Sequence, residues 1–146
     1  MKVISHRGNL SGKQTDRENS EHYIREAADR GFDVEVDVWI ADGKWFLGHD
    51  LPQYETSIQF LKSLPLWCHA KNIEALKALL QNDIRCFWHN TDTFTLTSNN
   101  KIWCYSDVQC DDGIMVCLNP PDGILTPTYA VCSDYPLEWQ KWRDHR

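Results

Sequence analysis

The sequence predicts an α/β fold: a compact, reduced (β/α)8 barrel with several helices shortened or missing. Three observations predict it. Short apolar segments of strand character alternate with helical segments, most clearly before residue 90. Chemically active side chains gather where those strands end: His6-Arg7, Glu35 and Asp37, His49-Asp50, His69 and Lys71, His89, Asp107, Asn119 and Asp134. Functional groups at the C-terminal ends of successive parallel strands are the layout of such a barrel. Finally, the chain has 146 residues, which suits one domain over 1–146 but falls short of the roughly 250 residues of a typical barrel. Helices and loops must therefore be lost.

In chain order, strands are expected near 2–5, 33–38, 44–48, 66–70, 84–88, 101–105, 114–117 and 129–133, with a further short one near 124–126. Helices are expected near 20–30, 57–63, 72–81 and 137–144. Asn19 or Ser20 caps the first, Glu21 sits in its first turn and Gly31 lies past its end, with Tyr23, Ile24, Ala27 and Ala28 as the apolar face. Asn72 caps the third, whose Ile73, Leu76, Leu79 and Leu80 are expected to face inward. Beyond residue 90 the strands are separated by turn chemistry, as at Asp111-Asp112-Gly113 and Asn119-Pro120-Pro121-Asp122-Gly123.

The net charge is −6 and Lys/Arg form no block, which argues against attraction to nucleic acid or to an anionic membrane. No apolar run is long enough to span a bilayer and the N-terminus has no leader-like apolar region, so a cytoplasmic setting is expected. The six cysteines (68, 86, 104, 110, 117 and 132) form no C-x-x-C pair and lie mostly in apolar runs, which suits buried thiols in a reducing compartment. Seven tryptophans are many for this length; Trp67, Trp88 and Trp103 lie in apolar runs where large rings fill a core. Apolar strand faces left bare by missing helices would be covered by such rings or by a second copy in a homodimer.

Glu35-Val36-Asp37 is the most readable site. Side chains alternate along a strand, so Glu35 and Asp37 point one way and Val34, Val36 and Val38 the other. In a barrel the valines pack on helices and the carboxylates face the interior. Two carboxylates so close repel unless a cation neutralises them, and a divalent metal does so directly. Taken alone, E-x-D is more often a solvated edge pair. His6 supplies a group that titrates near neutrality, Arg7 a planar fork that matches phosphate oxygens, and Gly8 a sharp turn. His49 offers a second acid–base group, with Asp50 beside it; Lys71 shares a face with His69 and suits a phosphate oxygen or a carboxylate. Each of these, alone, also reads as an ordinary polar strand end.

Their order is more specific. H-R-G at 6–8, E-N-S at 18–20, G-F-D-V-E-V-D-V at 31–38 and D-G-K-W-F-L-G-H-D at 42–50 resemble the glycerophosphodiester phosphodiesterase family. That family shows H-R-G, a P-E-N-T-like segment, G-A-x-x-x-E-x-D-V, and D-G followed by a strand ending in H-D. The likeness returns weakly at His69-Ala70-Lys71-Asn72, where the family has E-x-K, and at Ser133-Asp134-Tyr135-Pro136, where its last strand ends in T-D-x-P. Touching both ends of the chain, it implies a complete compact TIM barrel.

The resemblance implies a metal-dependent phosphoric diester hydrolase that cleaves a glycerophosphodiester to glycerol phosphate and an alcohol through a cyclic phosphate. It implies His6 and His49 as the acid–base pair, Lys71 as electrostatic stabiliser, and Arg7 and Glu18 as contacts near the phosphate and metal. Glu35 and Asp37 would be metal ligands for Mg²⁺ or Ca²⁺. The family's third carboxylate is His69 here; imidazole in that place suits Mn²⁺ or Zn²⁺ better. Otherwise Asp50 or water completes the shell. The insertion that often covers the glycerol moiety is missing, since only residues 51–56 separate His49-Asp50 from the next helix. Two other readings stay open: a phosphate- or metal-binding module without turnover, and a phospholipase-type enzyme acting on lipid headgroups.

Overall fold

A computed structural model describes residues 1–127 and 129–146. The chain is mixed α/β, with a curled half-barrel sheet and, among the described residues, four helices. In order these are β1 (Lys2–His6), α1 (Glu21–Asp29), β2 (Asp33–Ala41), β3 (Lys44–Leu47), β4 (Tyr54–Glu55), α2 (Ile58–Ser63), β5 (Leu66–Ala70), α3 (Ile73–Gln81), β6 (Cys86–Phe87), β7 (Phe94–Leu96), β8 (Ile102–Cys104), β9 (Ile114–Val116), β10 (Ala130–Ser133) and α4 (Pro136–Asp144).

The strand path runs β4-β3-β2-β1-β10-β9-β8-β7, with β5 pairing β2 and β6. Within it β6, β5, β2, β1, β10, β9 and β8 are all parallel neighbours. β3 and β4 form an antiparallel extension of the long strand β2, and β7 lies antiparallel on β8. The β6 edge meets the segment after β7: Ser98 N donates to the Cys86 carbonyl at 2.8 Å, and Cys86 N donates to Ser98 Oγ at 2.9 Å.

Strand alternation divides the core in two. Val34, Val36 and Val38 join Ile24, Phe60, Leu61, Ala75 and Leu79 in an outer layer between sheet and helices. Ile4, Trp67, Phe87, Trp103, Ile114, Val116, Ala130 and Cys132 fill the inside of the curl. There Phe87 stacks on Trp103 with centroids 4.3 Å apart, and Trp67 of β5 reaches to 6.2 Å from Trp103 of β8. The rings are large enough to bridge the concave face, so the interior is packed.

Caps behave as their residue types dictate. Ser20, Ser57 and Asn72 accept from Tyr23 N, Phe60 N and Ala75 N and open α1, α2 and α3. In α3 the buried stripe is Ala75 and Leu79, while Ile73 and Leu80 are half exposed, against the expectation that both face inward. The small Ala75 lets the helix approach β5 closely and turns the larger neighbours outward. Trp88 is likewise 38% exposed, because β6 ends at Phe87 and the ring stands on the rim. No strand forms at 124–126, and β4 and β7 were not expected from the sequence. Cys68, Cys86, Cys104, Cys117 and Cys132 are buried free thiols; Cys110 is partly exposed. No described helix is long and apolar enough to cross a membrane.

Candidate active site and metal centre

The inward columns of five strands repeat one pattern. An apolar residue sits deep, and two positions on a polar or aromatic one reaches the mouth: Ile4 then His6, Trp67 then His69, Phe87 then His89, Trp103 then Tyr105, Cys132 then Asp134. On β2 the acidic pair Glu35 and Asp37 takes this place. Parallel pairing puts His6 beside Glu35, and Asp37 beside His69. A cavity of about 220 Å³ opens on this ring, lined by His6, Arg7, Glu35, His49, His69, Lys71, Phe87, His89, Asn90, Trp103, Tyr105 and Val116.

Glu35, Asp37 and His69 offer ligand atoms that all lie within 4.8 Å of one another. His69 Nδ1 is 3.2 Å from Asp37 Oδ1 and 3.9 Å from Glu35 Oε1. Its Nε2 meets the His89 carbonyl at 2.8 Å, which can only accept, so that nitrogen carries the proton. In the neutral ring Nδ1 is then a bare lone pair facing two carboxylates. Glu35 Oε2 and Asp37 Oδ1 are buried without hydrogen-bond partners. Three converging acceptors of this kind could hold a cation, and the carbonyl behind His69 fixes its ring as such partners do for ligating histidines. The donor set of two carboxylates and one imidazole fits a divalent ion of intermediate hardness. Asp50 takes no part: its side chain is 89% exposed and lies 3.6 Å from His49 Nε2.

The two carboxyls are driven apart in acidity. Burial, then the charge of Asp37, pushes Glu35 well above the usual carboxylate range. Burial opposes the charge on Asp37 too, but the adjoining His49 and His69 rings and the Arg7 charge overcome it and hold Asp37 well below that range.

Arg7 knots the site. It has φ 58°, a left-handed backbone rare for a long side chain, fixed by Arg7 N donating to the Glu35 carbonyl and by its own carbonyl accepting from Asn19 N. Gly8 follows at φ 92°, and a Cβ there would fall 2.7 Å from the Tyr23 ring, so glycine is required. The guanidinium donates to His49 Nδ1 at 2.7 Å and lies 3.1 Å from Asp37 Oδ2 and 3.5 Å from Glu18 Oε1. Most of its fork is thus engaged by the protein. Lys71 enters no ion pair among the described residues and acts on Glu35 only as a more distant positive charge.

His6 Nδ1 lies 2.6 Å from Asp134 Oδ1, and its Nε2 lies 3.7 Å from Glu35 Oε2. Asn9 donates to both Glu18 (2.6 Å) and Asp134 (2.8 Å), and Asn19 donates to Asp37 Oδ2 while accepting from Asp37 N, both at 2.9 Å. Glu18 is therefore buried beside Arg7, Asn9 and Asp134, one step back from the Glu35/Asp37/His69 group. All eight residues expected from the sequence lie in or against this one site. Asp134, Asn9 and Asn19 were missed as site residues. Asp134 already stood among the strand-end polar groups and Asn19 within the E-N-S segment, though neither was given a role; Asn9 acts from a loop with no pattern to mark it. No protein-family model, curated protein or solved structure matches the chain.

Proposed function

We propose that this protein is a divalent-metal-dependent phosphodiester hydrolase of the glycerophosphodiester phosphodiesterase type, built on a reduced TIM (β/α)8 barrel in which the antiparallel β7 segment stands in for a missing strand. The observation that carries the reading is the trio of buried Glu35 and Asp37 with half-buried His69, with orphaned acceptors opening on a cavity shared with His6, His49 and Lys71. A binding module needs a cation site and an anion contact; it needs no pair of imidazoles flanking them.

Glu35, Asp37 and His69 would hold the ion, which supplies Lewis acidity toward a phosphoryl oxygen and the attacking hydroxyl. The protein's own groups supply the proton traffic. Asp134 keeps His6 protonated on Nδ1, leaving Nε2 as the base that accepts the hydroxyl proton as the new P–O bond forms. Arg7 donates to His49 Nδ1, so the His49 proton sits on Nε2, on a side chain 44% exposed at the mouth. To act as the acid, this ring would first take a second proton at Nδ1, exchanging Arg7 for Asp37 Oδ2 3.6 Å away, and the resulting imidazolium would give its Nε2 proton to the departing alkoxide as the old P–O bond breaks. Lys71, unpaired, is the cation best placed to meet the phosphate, and Arg7 works chiefly by holding Asp37, Glu18 and His49 in register.

Assays with glycerophosphodiesters and bis(p-nitrophenyl) phosphate, with Mg²⁺, Ca²⁺ or Mn²⁺ added, test this. Metal-dependent release of alcohol is expected, with Mn²⁺ the best activator. Hydrolysis surviving both His6→Ala and His49→Ala would refute the roles assigned; no turnover of any diester beside normal metal binding would leave a binding module.

A further inference from the structure

The chemistry proposed above leaves two members of the inward ring unused, His89 and Tyr105. Both line the cavity that holds His6, His49 and Lys71. Their rings lie 5.2 Å apart at 52°. Behind them the Phe87–Trp103 stack and Val116 close the floor and are almost wholly buried. His89 is held in place by Asp92 Oδ2, 2.9 Å from its Nδ1, whereas the Tyr105 ring is 46% exposed. The cavity therefore has a charged wall of Arg7, Glu35, His49 and Lys71 and an aromatic wall facing it.

A phosphodiester divides in the same way. Its phosphate belongs at the charged wall, and one of its two alcohol groups can then lie along the rings. A polyol laid there exchanges water for ring faces and loses hydrogen bonds. A planar ring gains stacking and edge-to-face contacts instead. At about 220 Å³ the space is below the ~300–1,000 Å³ of drug-sized sites, which limits the alcohol to one small ring. Resting on the diesterase reading, we infer that Tyr105 and His89 form a ring-recognising wall, and that the favoured diesters carry a flat unsaturated ring next to the phosphate.

The test compares glycerophosphate esters of benzyl alcohol, cyclohexylmethanol and ethanol, whose leaving groups have similar basicity, with the full chain and Mn²⁺. The benzyl ester should show a KM about tenfold below the ethyl ester, the gain typical of one stacked ring. Tyr105→Leu should collapse that preference toward one, His89→Ala should reduce it, and Tyr105→Phe, which keeps the ring, should retain it. Equal KM for benzyl and cyclohexylmethyl esters, or a benzyl preference untouched by Tyr105→Leu, overturns the wall. Calorimetry with benzylphosphonate and ethylphosphonate needs no turnover. Tighter benzyl binding, lost in Tyr105→Leu, supports the wall even if every diester resists hydrolysis; equal binding overturns it.

Discussion

The two halves of the sheet reach similar burial by different means. From β1 to β6, strands alternate with α1, α2 and α3, and the outer faces of β2 and β5 are covered by Ile24, Ala27, Phe60, Leu61, Ala75 and Leu79. From β8 to β10, three parallel strands are joined by 105–113 and 117–129 with no helix among the described residues. Their outer faces, at Met115, Cys117 and Val131, are reached by the same layer through α4, where Trp139 is fully buried and donates to the Asn119 carbonyl at 2.9 Å. One large ring and a loop do the work of whole helices. The difference follows chemistry: apart from Asp134, every residue proposed to act comes from the helix-covered half, where rigid elements hold side chains on register. The helix-poor half adds Trp103, Val116 and Tyr105 to the floor and wall that Phe87 and His89 begin.

The largest expected effect lies in the covered half. Asp37→Asn should lower kcat on bis(p-nitrophenyl) phosphate by ~10³-fold or more and abolish any rise in Tm on adding metal. A comparable loss from Asp107→Asn, an acidic residue of the helix-poor half, would break the comparison. Next comes stability: Trp139→Ala should cost about 3–5 kcal/mol by denaturant titration, as much as a core leucine such as Leu79→Ala. A cost under 1 kcal/mol would mean that the helix-poor face does not depend on that ring.

Asp134 joins the two halves, and its contribution depends on pH. Burial opposes its charge, but the His6 hydrogen bond, the His6 charge and Asn9 hold it below the usual carboxylate range. A lowered folded-state pKa adds stability above the unfolded value near ~4, and that stability is lost as pH falls through the folded value. Asp134→Asn should thus be about 2 kcal/mol less stable than the parent at neutral pH, the gap closing as pH drops below ~4. The smallest effect is at the seam. Ser98→Ala removes the acceptor of Cys86 N and should cost about 1 kcal/mol, with faster hydrogen exchange at that amide. Leu96→Ser on the exposed face of β7 should change stability by no more than ~0.5 kcal/mol.

Much of this was legible in the chain. Alternation alone put Val34, Val36 and Val38 outward and Glu35 and Asp37 inward, because a strand has no other way to dispose of its side chains. Local signals likewise determined the four helices and the cap residues Ser20 and Asn72, since a cap needs only a side-chain oxygen three residues from an orphan amide. Tertiary structure decided what depends on partners distant in sequence. His6 finds its orienting carboxylate in Asp134, 128 positions away, and the His69 tautomer is set by a carbonyl 20 positions on. The engagement of Arg7 by Glu18, Asp37 and His49, the burial that pushes Glu35 up and the neighbouring groups that hold Asp37 down exist only once the sheet has curled. Residue types and periodicity are local properties; charge pairing and desolvation are properties of the assembled interior.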